Sequence, residues 1–137
     1  QFLFNKVTDI ELKIIKLYDL PASAGSGNII FEDNISYTEL YTTNRNADFA
    51  IRISGDSMEP DIPDGSIVLV EKQQTINSGQ IGIFIYDNEI RCKKYYKKKK
   101  LISLISLNKK YAPISISSNR RVDVIGIVLD TYDNPME

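Results

Sequence analysis

Short stretches of alternating apolar and polar residues recur along the chain, separated by turn-forming residues. Phe49, Ile51 and Ile53 alternate with Ala50, Arg52 and Ser54, the period of two that sends successive side chains to opposite faces of a strand. Residues 67–70 form a short run rich in β-branched side chains, as expected of a buried strand. Residues 81–86 and 89–95 are strand candidates on either side of Asp87-Asn88, so they predict a hairpin. Residues 101–107 and 122–129 complete the set, with turns expected at 59–65 and at Ser78-Gly79. Near the start, Thr8 and Glu11 have capping-box spacing, but Ile10, Leu12 and Ile14 alternate with charged residues, and an extended segment is expected. No stretch after residue 30 has helical periodicity. The expected fold is mainly β, a compact assembly of short, mostly antiparallel strands or a partly open barrel.

Composition narrows the chemistry. The 137 residues suffice for one domain with a real core, and 42% hydrophobic with 26% charged residues is the balance of a globular protein. The chain has no histidine, which excludes Ser-His-Asp and Cys-His mechanisms and most zinc sites. Its single cysteine, Cys92, allows no intrachain disulfide, so a cytoplasmic location is expected. No apolar stretch approaches the roughly 18 residues of a membrane span, and no signal peptide opens the chain. It begins with Gln1 rather than methionine, as expected of a fragment or a processed product.

Several groups could carry chemistry. Residues 91–100 hold Arg91, Lys93, Lys94 and four consecutive lysines at 97–100, with Tyr95 and Tyr96 among them; the rest of the chain is then about -8. This run suits either a phosphate-binding patch or a solvated hairpin tip that discourages edge-to-edge association. Asp56, Glu59, Asp61 and Asp64 do not follow the spacing of a calcium loop. Turn chemistry accounts for them, and neither metal nor cofactor is expected. Cys92 lacks a histidine partner and reads as a small buried residue. Ser57 follows an alternating strand and Gly55, so its hydroxyl can emerge on a turn beside a free amide, the elements of an oxyanion hole. Its base would be a carboxylate or a lysine whose pKa burial has lowered. Lys93, inside a predicted strand, is such a lysine. Spacing alone does not select it, and alternation argues against it, since it shares a face with Arg91 and Tyr95, opposite Ile90 and Cys92.

The run Ser54-Gly55-Asp56-Ser57-Met58-Glu59-Pro60, followed by Ile62-Pro63-Asp64-Gly65-Ser66-Ile67-Val68, resembles the catalytic segment of the LexA-like self-cleaving family, which includes LexA, lambda-type phage repressors and UmuD. Gly79-Gln80-Ile81 and Asn88-Glu89-Ile90-Arg91-Cys92-Lys93-Lys94 are similar to the hairpin that carries that family's lysine. Asn108, Tyr111-Ala112-Pro113-Ile114 and Asp123-Val124-Ile125-Gly126-Ile127-Val128 resemble its closing strands. The match runs in order over about residues 20–130.

The resemblance implies Ser57 as nucleophile, Lys93 as general base, and the backbone amides of Asp56 and Ser57 as oxyanion hole. It implies self-cleavage at Ala24-Gly25, where small residues pass a narrow cleft at little steric cost. It further implies a homodimer, activated RecA on single-stranded DNA as co-protease, and operator DNA bound through an upstream helix-turn-helix domain. The corresponding organisation is an extended linker over 1–20, a cleavage-site loop over 21–34, and a catalytic and dimerisation domain over 35–137. Cleavage in response to DNA damage would inactivate repression. A UmuD-like subunit of an error-prone polymerase and a repressor dimerisation module that no longer cleaves are the alternatives. A signal peptidase would need a membrane anchor, and a nucleic-acid binder would use residues 91–100.

Overall fold

A computed structural model describes residues 11–19 and 36–135. The described residues form nine strands: β1 (Lys13–Tyr18), β2 (Tyr37–Thr42), β3 (Phe49–Arg52), β4 (Ile67–Lys72), β5 (Ile81–Tyr86), β6 (Glu89–Lys98), β7 (Leu101–Ile105), β8 (Ile114–Ile116) and β9 (Asp123–Thr131). They make one sheet in the order β2-β1-β3-β4-β9-β5-β6-β7-β8. Every pairing is antiparallel except β1 with β3, so the mainly β expectation holds. No helix among the described residues is long and apolar enough to cross a membrane.

The alternation seen in the sequence sorts the side chains onto two faces. Phe49, Ile51, Val68, Val70, Ile83, Ile85 and Ile125 share one face and build the largest buried cluster, with Met58 and Ile62 inserted from the β3–β4 connection. The opposite face carries two smaller clusters. One, around Ile15, Leu17, Ala50 and Leu69, lies at the β1 end of the sheet. The other, around Phe84, Tyr95, Leu104 and Ile116, lies at the β8 end. Central strands are therefore covered on both faces, and β5 is buried from Gly82 to Tyr86.

The predicted hairpin forms with Asp87 and Asn88 as its two-residue turn, both at positive φ (53° and 62°), the backbone that matches the twist of the flanking strands. Gly126 marks a close approach of β9 to β4: a Cβ there would meet the Glu71 carbonyl oxygen at 2.5 Å. Two strands, β2 and β8, have no counterpart among the predicted ones. Both are sheet edges, and β2 buries only Thr42 fully, so its sequence lacks a marked apolar face. β1 lies inside the extended segment expected near the start. It pairs with β2 on one side and β3 on the other.

Candidate active site

Ser57 sits in the connection that leaves β3 and returns as β4. Local hydrogen bonds shape this segment. Gly55, at φ +95°, donates its N–H to Asp64 Oδ1 (2.7 Å), and Asp64 N–H donates to Glu59 Oε2 (3.0 Å). Gly65 N–H reaches the Ile53 carbonyl at 2.8 Å, and Glu59 N–H reaches the Asp56 carbonyl at 3.1 Å. Glu59 and Asp64 are thus occupied with turn geometry, as their sequence context suggests. Among the described residues no group of three or more His, Cys, Asp or Glu side chains could hold a metal ion. Met58 is fully buried in the largest cluster. It anchors the turn from below and leaves the neighbouring Ser57 hydroxyl at the wall of a cleft.

Lys93 reaches that hydroxyl from β6. Its Nζ donates to Ser57 Oγ at 2.8 Å across 36 residues of sequence. Lys93 is 7% exposed. Burial, reinforced by the neighbouring Arg91 charge, lowers its pKa from the usual lysine value. The argument from alternation is resolved by the cover on both faces of β6. Cys92 turns into the cluster with Met58 and Ile83, and Tyr95 on the Lys93 face is also buried, against Phe84 and Leu104. The Cys92 thiol is pushed up to about 12 by burial and does not enter the cleft.

The cleft has a volume of about 320 Å³ and is lined by Ser54, Gly55, Asp56, Ser57, Arg91, Lys93, Ser106, Tyr111, Ala112 and Ile114. Most of the lining beyond the Ser57 turn comes from β6 and from the segment around β7 and β8. Within that segment, Asn108 N–H donates to the Ser57 carbonyl at 2.9 Å, and Asn108 Nδ2 donates to the Asp56 carbonyl at 3.0 Å. The Asp56 carboxylate binds Lys110 Nζ at 2.7 Å and accepts a hydrogen bond from the Tyr111 hydroxyl. Lys110 first, then Tyr111, holds the Asp56 carboxyl below its ordinary value. Asn108 and Tyr111 enter the sequence reading only through the resemblance, without a role; Lys110 and Ser106 do not enter it. They lie about 50 residues from Ser57, and no local pattern links them to it.

Of the other sequence candidates, the lysine run projects from the β6–β7 hairpin. Residues 97–100 are exposed, and none of them forms an ion pair among the described residues. Ala24-Gly25 lies outside the described residues. Both ends of the segment that contains it are described: Tyr18 pairs with Tyr37 and with Ile51 in the parallel β1–β3 ladder, and Asp19 forms an ion pair with Arg52 at 3.5 Å. The chain therefore departs from β1, and enters β2, at the end of the sheet from which β3 leads into Ser57.

The family model described as Peptidase S24-like matches residues 16–129. The LexA repressor of Thermosipho africanus is 39% identical over 79 residues, covering 57% of this chain and 39% of that protein. The LexA repressor of Acetivibrio thermocellus is 36% identical over 85 residues, 61% of this chain and 39% of its own length. That of Carboxydothermus hydrogenoformans is 39% identical over 84 residues, 59% and 40% respectively. The matched part of the chain spans about two-fifths of the length of these relatives. With the family model covering most of the sequence, this chain belongs to the Peptidase S24-like family, in keeping with its resemblance to LexA-like self-cleaving repressors.

Proposed function

We propose that this chain is the self-cleaving and dimer-forming C-terminal domain of a LexA-type transcriptional repressor, and that it hydrolyses its own Ala24-Gly25 bond with a Ser57–Lys93 dyad. The observation that carries the reading is the 2.8 Å contact between Lys93 Nζ and Ser57 Oγ in a cleft that buries the lysine. As an ammonium, Lys93 donates in that contact. Once neutral, its lone pair accepts the Ser57 proton as Oγ attacks the Ala24 carbonyl carbon. The backbone amides of Asp56 and Ser57 hold the developing oxyanion. The proton passes to the Gly25 nitrogen as the peptide bond breaks, and water then hydrolyses the Ala24 ester on Ser57.

Tethering favours cleavage within one chain. Ala24 is five residues beyond Asp19, and Asp19 is tied to Arg52, itself five residues before Ser57. An extended chain covers about 3.3–3.6 Å per residue, so a tether of roughly 17 Å starts from the Ser57 end of the sheet. The LexA repressor relatives support the repressor reading over the UmuD-like one. Under this reading an upstream domain binds operator DNA, activated RecA promotes docking of the cleavage segment, and cleavage parts the DNA-binding and dimerisation domains.

Intact mass against time at neutral and alkaline pH tests the reading. The expected result is a split into residues 1–24 and 25–137, faster at high pH, that Ser57→Ala abolishes without loss of fold. Cleavage by the Ser57→Ala chain would overturn the nucleophile assignment. A chain that stays intact at high pH and with activated RecA would leave the dimerisation-only module as the better reading.

A further inference from the structure

The loop between β7 and β8 holds the Ser57 turn from behind. Asn108 donates its backbone N–H to the Ser57 carbonyl (2.9 Å) and its side-chain Nδ2 to the Asp56 carbonyl (3.0 Å). These two carbonyls flank consecutive peptide planes. In a planar trans peptide the C=O and the next residue's N–H point in opposite directions, and the only cis bond among the described residues is Glu59-Pro60. Fixing the Asp56 carbonyl on one side therefore fixes the Ser57 N–H on the other. That N–H has no acceptor among the described residues.

We propose that Asn108 is a positioning residue that aims the Ser57 N–H into the cleft as an oxyanion donor, by holding the Asp56 carbonyl from the opposite side. The loop is itself braced for this. Asn108 Oδ1 accepts from Lys110 N–H at 3.2 Å, and Tyr111 N–H donates to the Asn108 carbonyl at 3.2 Å. The side chains of Lys110 and Tyr111 both bind the Asp56 carboxylate, so the loop holds Asp56 by side chain as well as by backbone. An oxyanion donor acts only if it is aimed before the charge develops. The Lys93–Ser57 contact lies apart from this brace, so aim and basicity are separable.

The inference rests on the proposed self-cleavage and is tested on the same full chain. Asn108→Asp keeps an acceptor for Lys110 N–H but removes the side-chain donor to the Asp56 carbonyl, leaving only the Glu59 N–H on it at 3.1 Å. Its first-order cleavage rate should fall at least about tenfold at every pH, toward the 10²–10³-fold typical of a lost oxyanion donor. The new carboxylate stands close to the Ser57–Lys93 contact, favours the charged lysine, and should also move the midpoint of the pH–rate profile upward. Asn108→Ala adds no charge, so its rate should fall likewise with the midpoint unmoved, and this variant decides the matter. An unchanged rate in both variants, or an Asn108→Ala loss explained by a shifted midpoint, overturns the role of Asn108 while wild-type cleavage and its Ser57 dependence stand. A wild-type chain that does not cleave overturns the parent reading and this inference with it.

Discussion

Replacing Met58 tests how the core holds the candidate nucleophile. Met58 has no exposed surface and belongs to the buried cluster that includes Phe49, Ile53, Ile62, Val68, Val70 and Ile83. Most of these side chains belong to hydrogen-bonded strands, which cannot collapse freely into a void. Met58→Ala should therefore cost about 3 kcal/mol, within the 2–5 kcal/mol seen for buried Met, Leu or Ile to Ala. A chain of 137 residues has an unfolding entropy of about 0.29 kcal/mol/K, so the midpoint should fall by about 10 °C. Thermal unfolding followed by circular dichroism, with Ser57→Ala as the common background to keep the chain whole, measures this. With Ser57 restored, a native circular-dichroism spectrum of Met58→Ala at 25 °C is the control under which a change in cleavage rate reports turn geometry rather than unfolding. A displacement of about 1 Å can cost 10²-fold in rate, and at least a tenfold loss is expected. Met58→Leu conserves volume and should cost less than about 1.5 kcal/mol, with a rate near wild type. A midpoint within about 3 °C of the parent, together with an unchanged rate for Met58→Ala, would refute the idea that this side chain anchors the Ser57 turn.

Lys93→Met should abolish self-cleavage at every pH and raise the thermal midpoint at neutral pH. Burial lowers the Lys93 pKa in the folded state, so charged Lys93 penalises folding fully below its folded pKa. Between that pKa and the unfolded value the unfolded chain binds more proton, stability of the parent rises with pH, and the variant's advantage shrinks. Midpoints across pH 6–10 check the sign; a variant less stable than the parent at neutral pH would contradict it. Burial pushes the Cys92 thiol up to about 12, so it should react with thiol reagents orders of magnitude more slowly in the native chain than in denaturant. Rapid stoichiometric labelling of the folded protein would show that the thiol is not sealed in the core.

Much of the frame was legible from local pattern. Period-two alternation marks β3, and the Asp87-Asn88 turn sets the β5–β6 hairpin. The ordered motifs around Ser57 and Lys93 singled out the pair that the structure brings within 2.8 Å. The edge strands β2 and β8 were not legible, because an edge strand need not carry a strongly apolar face. The parallel β1–β3 ladder joins residues more than 30 positions apart with no local signature.

The sequence by itself determined which side chains share a face and where the chain must turn, since strand geometry and turn chemistry depend on near neighbours. Tertiary structure alone decided which faces are covered. Alternation set Lys93 against Cys92, yet both are buried, because each face of β6 meets a different cluster. A lysine with a lowered pKa beside a serine hydroxyl exists only through that cover, and desolvation is a property of everything packed around a group. The hold of Asn108, Lys110 and Tyr111 on Asp56 and Ser57 likewise depends on the path of the chain from β7 to β8. Contacts of such long range are fixed by the fold as a whole.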